Sequence, residues 1–543
     1  MVEPYLIFLI LATTVLGVII GVLPGLGATT GAALLLPFTL TMEPVHAIAV
    51  LATIYVSATF AGSITAILIN TPGTPAAAAT TFDGYPLAQR GEAGRALGIA
   101  VVSSTIGGVF SVIVLCIAAP MLARVAYEFR PPEYFALALF GLSMLASISA
   151  GGTVKNLIGG VFGVWLATIG AERATGIERF MFGNYELYEG LGFVPVFIGI
   201  FAISELLMQS EKVNQVIETI KLKAVKLPSR DDYKRIWKTV LRSCGIGTFI
   251  GILPAEGATI ASMIGYAEAR RWSKNKEEFG KGAIEGIAGA EAANNAATGG
   301  AMVPTMVLGI PGSGTTAVIL VGLMVHGLRP GPYLFTEQVN TVYQIFGAML
   351  LANLMFMVMG LYASTLFARI SLVPRQMLWP IVFALAMIGA YSLSSSLLDV
   401  WIALIFGVIG FFARRHGFAV APIAVGLILG EMVESNLQNS LKMFDGEWWL
   451  ILTQPLAALF LAFAFLGLCG PAIFRWILKR GGSTHPPPEK RSKPGLHAQV
   501  NPGTYPSFSI RSMSASERPK WWPISWISTW RMTWARSSPV SHQ

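Results

Sequence analysis

Small and polar residues break two long apolar stretches of this sequence, one in each half, and they are the residues best suited to chemistry. The candidate ligand-binding residues are Gly25, Gly27, Thr29, Thr30, Asn70, Thr71, Gly73, Thr259, Asn294, Asn295, Gly312 and Ser313. Prolines beside them interrupt a helix, and a helix that restarts presents free N–H groups that favour an anion. Because no Lys or Arg lies between Glu3 and Asp83 or between Glu291 and Leu328, we expect a carboxylate to be held mainly by dipoles, hydroxyls and amides.

Two acids lie close to the breaks of the second half and are candidates for binding a coupling cation, H⁺ or Na⁺. Glu256 falls at the tip of a broken helix, where an acid is costly and usually functional. It could also pair with a substrate amine, reach a water-filled cavity mouth or pair with Arg270. Glu291 begins an apolar run, where an acid also favours a helix N-terminus. No metal ligands occur at useful spacing, so no metal or other cofactor is expected.

The amino-acid composition indicates that membrane helices position these residues. Hydrophobic residues make up 54% of the chain and charged residues 12%, and the mean hydropathy is +0.63. These values exclude a soluble domain. Uncharged runs such as Pro4 to Met42 exceed the roughly 20 residues that a helix needs to cross a bilayer. We therefore predict an all-α, polytopic integral membrane protein with about 10–14 membrane helices or half-helices, because Gly and Pro divide the longest runs.

Two elements of the chain occur twice, in the same order. The segment from Gly17 to Thr29 is repeated from Gly247 to Thr259, an offset of 230 residues. The segment from Ala58 to Thr74 is repeated from Ala297 to Ser313, an offset of 239 residues. One such break alone would indicate only helix packing, since small residues are common at helix contacts. Two breaks in each half indicate a duplicated transporter-like unit whose breaks line a cavity.

The distribution of charge predicts how the two halves lie in the membrane. The polar segment 211–242 is rich in Lys and Arg, so the positive-inside bias makes it a cytoplasmic linker between repeats at 1–210 and 243–479. Basic residues flank the second copy of the motif on both sides, which favours a re-entrant hairpin of two half-helices over two short crossings. The first copy lies between Glu3 and Glu43 without basic flanks. The halves are therefore predicted to be inverted-topology repeats, with the first motif entering from outside.

The last segment of the chain, 480–543, differs from the rest. It is basic and rich in Pro, Ser and Trp, and it shows neither a helical nor a strand period. We predict a disordered segment that contacts anionic membrane lipid, or an accidental extension of the chain. Most of the net charge of +9 lies there, so nucleic-acid binding is not implied.

Several motifs of the two repeats resemble one known family. They are Leu23-Pro24-Gly25-Leu26-Gly27, Asn70-Thr71-Pro72-Gly73-Thr74-Pro75, Phe82-Asp83-Gly84-Tyr85-Pro86-Leu87, Phe279-Gly280-Lys281-Gly282-Ala283, Ala293-Asn294-Asn295-Ala296 and Leu308-Gly309-Ile310-Pro311-Gly312-Ser313. From Met1 to Pro471 the chain resembles the large membrane subunit of the tripartite tricarboxylate transporters.

This resemblance implies a function that the residues alone do not specify. It implies a multi-pass protein of the bacterial inner membrane that imports a carboxylate, such as a tricarboxylate, a dicarboxylate or an aromatic acid, by symport with H⁺ or Na⁺. It also implies two partners: a periplasmic solute-binding protein that delivers the substrate and a small four-helix membrane subunit. The chain departs from the family pattern at Glu256 and at Gln438-Asn439, where we expected a small residue and a basic pair. These departures leave the substrate open.

Other functional classes find less support in the sequence. The chain has no Gly-x-x-x-x-Gly-Lys-Ser/Thr loop for ATP, and it has none of the common hydrolase or metalloprotease motifs, so it is not expected to be an enzyme. The dinucleotide-like pattern at Gly312 lies inside an apolar run without a preceding strand. A cation antiporter or a channel with the same inverted repeats is the alternative that stays open, ahead of a membrane enzyme.

Overall fold

The all-α prediction is confirmed by the computed structural model, which describes residues 3–148, 152–172, 175–211, 220, 222, 224–254, 257–373 and 375–481. The single sheet within these residues is a two-residue antiparallel pair of β1 (Gly170–Ala171) and β2 (Glu178–Arg179). Residues up to Leu468 form one compact unit, and a second begins at Cys469. The predicted tail lies outside the described residues from 482 onward. The repeat boundaries proposed from charge stay a prediction.

Helices of the first half, in chain order, are α1 (Pro4–Val22), α2 (Gly27–Thr39), α3 (Pro44–Ile69), α4 (Ala78–Leu87), α5 (Ala93–Ala126), α6 (Pro131–Ile148), α7 (Thr153–Leu166), α8 (Phe193–Phe197) and α9 (Ser204–Ser210). A 3₁₀ turn, Pro75–Ala77, leads into α4. A π-helical segment, Ile198–Ile203, joins α8 to α9. Helix α8, this π-helical segment and α9 together form one continuous apolar span, Phe193–Ser210.

Helices of the second half are α10 (Arg230–Ile252), α11 (Gly257–Trp272), α12 (Ile284–Leu308), α13 (Gly314–Val325), α14 (Leu334–Glu337), α15 (Val339–Tyr362), α16 (Ser364–Ile370), α17 (Arg375–Ser392), α18 (Leu397–Arg415), α19 (Ala421–Met443) and α20 (Pro455–Gly481). Within the described residues of both halves, six helical segments are long and apolar enough to cross a membrane. Shorter apolar helices, including α7 and α13, accompany them. The chain is therefore a multi-pass membrane protein.

The duplicated motifs form the same structure in both halves. In each, a helix ends two residues before a proline, and a second helix starts three residues after it and turns back. These hairpins are α1–α2 and α10–α11. Each lies against one long buried helix, α3 or α12, through glycines that allow backbone contact. A Cβ on Gly21 would lie 2.8 Å from the Ala58 Cα, and one on Gly251 would lie 2.9 Å from the Ala297 Cα.

The second duplicated element also matches in detail. The C-cap residues of α3 and α12 are Asn70 and Gly309, and both adopt the left-handed conformation, with φ of 52° and 68°. After each, the chain runs back along the same helix, and its amide bonds a carbonyl six residues earlier: Thr71 N–H to Thr65 O at 3.4 Å, and Ile310 N–H to Pro304 O at 3.3 Å. The sequence offset of 239 residues is thus a structural equivalence.

The two hairpins open at opposite ends of the molecule. The open end of α1–α2 meets the start of α3, where His46 lies within 3.7 Å of Glu3 and Glu43. The open end of α10–α11 meets the start of α12, where Glu285 bonds Arg235 at 3.1 Å and Ser273 at 2.6 Å. His46 and Glu285 are equivalent positions under the 239-residue offset.

Helices α3 and α12 are antiparallel, as their neighbours show. Gly84 of α4 packs on Ile67, near the end of α3, while Asp83 bonds the backbone that leads into α12. The end of α3 and the start of α12 therefore lie together. Hairpins that open at the starts of two antiparallel helices are inverted relative to each other, which confirms the predicted inverted repeat.

Long helices from each half cross into the other half and hold the repeats together. Helix α5 packs along α12, where Gly299 lies against Ser111, and α15 packs along α3, where Gly360 lies against Phe60. Phe60 of α3 also stacks on Phe356 of α15, with ring centroids 4.6 Å apart. The core is thus shared by the two repeats.

The close backbone contact at Gly251 predicts that a larger residue there lowers the thermal stability of the protein. A methyl group there would overlap the Ala297 backbone, and overpacking of this kind costs about 1–3 kcal/mol. We expect Gly251→Ala to lower the midpoint of thermal unfolding of the detergent-solubilised protein by several degrees. Gly245→Ala is the control, because a Cβ at this position of the same helix would meet no atom within 4 Å. Equal stability of the two variants would contradict the packing described.

The inverted repeat also predicts opposite labelling of two loops. Glu43 and Lys274 are both exposed, and they follow equivalent half-helices. In a cysteine-free background, we expect a membrane-impermeant maleimide to label Glu43→Cys only from outside and Lys274→Cys only from the cytoplasm. Labelling of both positions from the cytoplasmic side would exclude this orientation.

Candidate functional site

Two restarted half-helices, one from each half, meet at their N-termini. The Thr29 and Thr315 hydroxyls lie 2.8 Å apart and join the first turn of α2 to the first turn of α13. Ser313 caps α13 by accepting the Thr316 N–H at 3.2 Å, and its hydroxyl lies 3.4 Å from the Tyr55 hydroxyl of α3. We call this group, Thr29, Thr315, Ser313 and Tyr55, the hydroxyl junction. It gathers two positive helix ends around uncharged donors.

The walls of the hydroxyl junction come from the π-helical segment before α9. The Thr30 hydroxyl donates to the Phe201 carbonyl at 3.1 Å, and the Phe201 ring lies beside Gly314. Gly27, which has a φ of 57°, opens α2 next to this point. A Cβ at Gly27 would meet no atom within 4 Å, so the break leaves space at the start of the half-helix.

The equivalent junction in the inverted position joins α11 to the turn before α4. Under the two offsets, Thr259 corresponds to Thr29, Asn294 to Tyr55 and Thr74 to Ser313. The Thr74 hydroxyl is buried without a hydrogen-bond partner. On α12, Asn295 donates to the Glu291 carbonyl at 3.2 Å, while its own side-chain oxygen is buried without a partner. This second junction therefore contains buried polar side-chain atoms for which the described residues supply no hydrogen-bond partner.

Glu291 is the acid of this second junction. Its side chain is fully buried, and it accepts hydrogen bonds from the Thr80 hydroxyl of α4 and from the Ser104 hydroxyl of α5, the latter at 2.8 Å. The Asn294 side chain lies beside it. None of these neighbours is a base, so within the described residues the carboxyl accepts side-chain hydrogen bonds from hydroxyl groups alone. Its equivalent in the first half is Ala52, and the two junctions differ in charge at this point.

The other candidate residues lie where they shape the breaks. Gly73 packs against the Gly62 backbone, and its N–H donates to the Gly62 carbonyl at 3.2 Å. Gly312 also packs on Ala301, but its N–H donates to the Thr305 hydroxyl at 3.3 Å. Asn70 is exposed, and Thr71 donates to the nearby Ile69 carbonyl at 3.3 Å.

Two further candidates have different positions. Gly25, with a φ of 95°, lies against the Gln209 side chain of α9. Glu256 lies outside the described residues, so its role stays a prediction. Within the described residues, no group of three His, Cys, Asp or Glu side chains is placed to hold a metal ion.

Asp83 has a role that sequence reasoning did not assign. It is fully buried, and its Oδ1 accepts three backbone N–H groups, from Gly280 at 2.7 Å and from Gly282 and Ala283 at 2.9 Å. The carboxyl thereby fastens α4 of the first half to the loop between α11 and α12. Tyr266 packs edge-on against both Phe82 and Phe279 around this contact. Both motifs were visible in the sequence, but their pairing was not.

An inverted repeat with half-helix ends that meet across the two halves is an architecture typical of membrane transporters. The sequence profile of the Tripartite tricarboxylate transporter TctA family matches residues 7–425. The chain belongs to this family, which is a family of transporters and not of enzymes.

Comparison with individual proteins agrees with this assignment. The chain is 39% identical over 449 residues to the "Uncharacterized 52.8 kDa protein in TAR-I ttuC' 3'region" of Agrobacterium vitis, covering 82% of this chain and 89% of the relative. It is 34% identical over 212 residues to the "Uncharacterized protein in TAR-II ttuC' 3'region" of the same organism, covering 39% of this chain and 88% of the relative. No solved structure matches the chain significantly.

The Asp83 contact predicts a difference between two substitutions. Asp83→Asn keeps an oxygen that accepts the three N–H groups, whereas Asp83→Ala leaves them buried without a partner, at about 1–3 kcal/mol for each. We expect tryptic cleavage after Lys281, followed by mass spectrometry, to be at least tenfold faster in Asp83→Ala and close to wild type in Asp83→Asn. Equal protection of Lys281 in all three proteins would show that Asp83 does not hold this loop.

Proposed function

We propose that this chain is the large membrane subunit of a tripartite secondary transporter that imports a carboxylate across the bacterial inner membrane. Its driving force is an H⁺ or Na⁺ gradient, a periplasmic solute-binding protein delivers the substrate, and a small four-helix membrane subunit accompanies it. Family membership supports the three-part assembly. The observation that carries the transport site is the meeting of α2 and α13 at Thr29 and Thr315.

The hydroxyl junction suits a carboxylate group. Two helix N-termini point their free N–H groups and positive dipole ends at one place, and the Thr and Ser hydroxyls add donors. No Lys or Arg is needed, so the site can release an anion without separating an ion pair. A dicarboxylate, a tricarboxylate or an aromatic acid would each present the same group to this junction.

The second junction suits the coupling cation. A carboxyl that is buried among hydroxyls and amides is stabilised when it binds a proton or coordinates Na⁺, because an uncompensated charge is costly there. Glu291 lies on α12, next to the α4 and α11 half-helices, and a change in its occupancy would alter their packing. In this proposal, the hydroxyl junction binds the anion and the second junction binds the cation.

Reconstitution tests the proposal as a whole. The chain is placed in liposomes with the small subunit, and uptake is measured for a panel of radiolabelled carboxylates in the presence of a purified periplasmic solute-binding protein from the same organism. We expect uptake that requires the binding protein and an inward H⁺ or Na⁺ gradient. Cation exchange or conductance without carboxylate uptake would favour the antiporter or channel instead.

Substitution of Thr29 tests the anion site. Thr29→Val keeps the shape of the side chain and removes a hydroxyl from the junction. We expect the KM for the carboxylate to rise about tenfold, as for the loss of roughly 1.4 kcal/mol of binding. Thr105→Val is the matched control, since the Thr105 hydroxyl bonds only the Val101 carbonyl of its own helix, at 2.8 Å. A KM that rises equally in both variants would remove Thr29 from the site.

Substitution of Glu291 tests the coupling site. Glu291→Gln keeps hydrogen-bonding groups for Thr80 and Ser104 but removes the negative charge that would attract Na⁺ and the carboxyl that would bind a proton. We expect gradient-driven accumulation to fall at least tenfold, while exchange of internal for external substrate is retained. Glu285→Gln, a change of the same kind in the first turn of α12, should retain accumulation. Unchanged uptake and unchanged ion dependence in Glu291→Gln would exclude it from coupling, and Glu256→Gln would then be measured in the same assay.

A further inference from the structure

The loop between α7 and α8 presents large apolar side chains to the outside of the molecule. We call residues 175–190 the aromatic loop. Phe182 is 88% exposed and Tyr185 is 82% exposed, values far above those of a packed aromatic side chain. Ile177, Phe180 and Tyr188 are also exposed. Five exposed large side chains in one short loop form an apolar patch that calls for a partner.

The backbone of the aromatic loop holds these side chains outward. Phe180 and Phe182 both adopt left-handed backbone conformations, with φ of 53° and 51°, which are unfavourable for residues with a bulky side chain. Met181 between them is buried, so it anchors the loop. Strain of this kind persists where the surrounding structure fixes it and is typical of functional surfaces.

Polar contacts fix the aromatic loop to two other helices. Arg179 forms an ion pair with Glu434 of α19, and Glu186 accepts a hydrogen bond of 2.5 Å from Ser396 at the start of α18. The β1–β2 pair closes the base of the loop. A partner would therefore meet a preformed surface and would lose little entropy in ordering it.

The aromatic loop lies at the opposite end of α7 from the contact between α7 and α18, and that contact is at the end near the segment that begins at residue 211. The start of α7 contacts the end of α18, where Lys155 donates to the His416 carbonyl at 2.5 Å. Nearby, Arg414 of α18 bonds Glu205 of α9 at 2.5 Å. The loop joins the opposite ends of α7 and α8. In the orientation predicted from charge, this is the outer face.

The charge of the aromatic loop distinguishes a protein from a lipid partner. Glu178, Glu186 and Glu189 are exposed around the aromatic side chains. An acidic surface is repelled by anionic lipid headgroups, whereas it attracts a protein surface that carries Lys and Arg. Exposed Phe and Tyr side chains on a rigid support are typical of the anchors that dominate the binding energy of protein interfaces.

We propose that the aromatic loop is the docking surface for the soluble solute-binding protein, which would meet it with a basic rim around an apolar centre. This inference rests on the proposed function, because it takes the soluble partner from it. The surface also lies beside α8 and the π-helical segment, whose Phe201 walls the hydroxyl junction. Docking here would bring the partner to the side of the molecule that leads to the anion site.

Photocrosslinking tests the docking surface. The photoreactive residue p-benzoylphenylalanine is placed at Phe182 or Tyr185, and the reconstituted chain is irradiated with the binding protein that supports uptake in the wild type. We expect an adduct with the combined mass of the two proteins. Tyr362 is the matched control, since it is 81% exposed but lies at the end of α15 and on the opposite face in the predicted orientation. It should give no adduct.

Kinetics provide a second readout that separates docking from folding. In Phe182→Ser combined with Tyr185→Ser, we expect the concentration of binding protein for half-maximal uptake to rise at least tenfold, with the maximal rate retained. Adducts only with lipid, or unchanged half-saturation together with no protein adduct, would overturn the docking surface. If wild-type uptake needs no binding protein, the proposed function itself fails, and the two failures are distinguishable.

Discussion

Hydrocarbon cannot hydrogen-bond a peptide group, and this constraint decides the design of the molecule. Every helix that stops inside the membrane leaves N–H and C=O groups that the protein must satisfy. The chain meets this need by running its broken segments against its own long helices, as Gly73 does on Gly62. Such close approach requires glycine or alanine on both sides, which explains why small residues crowd α3 and α12. The breaks in turn supply the free helix ends on which the proposed anion site rests.

The same constraint explains how the halves depend on each other. A half-helix is too short to cross the membrane, so its polar end must be covered by the opposite repeat. Thr29 meets Thr315 across the halves, and Asp83 of the first half bonds amides of the second. Neither repeat would bury its polar ends alone. Differences between equivalent positions, such as Ala52 and Glu291, then give the two junctions different chemistry.

Local patterns predicted the elements well. Pro24 and Pro254 predicted where the helices break, and the charges that flank each motif predicted that the two hairpins are inverted. Both signals lie within a short stretch of chain. The contacts between halves could not be predicted in this way. Nothing near Thr29 indicates that Thr315 is its partner, and nothing near Asp83 indicates that Gly280 supplies an amide. The sequence signal that could have found Tyr55 is the 239-residue offset, which equates it with Asn294.

The connections within the two hairpin units are unequal in length. A short turn from Leu40 to Glu43 joins α2 to α3, whereas the segment from Ser273 to Ala283 joins α11 to α12. A short connection restricts the movement of the hairpin that it joins more than a long connection does. Asp83 restricts the longer connection by accepting hydrogen bonds from its backbone and so joining it to α4. The inverted halves are therefore related by an approximate two-fold axis, but their hairpins are connected differently: one by a short turn, and the other by a longer segment whose freedom depends on a single carboxylate.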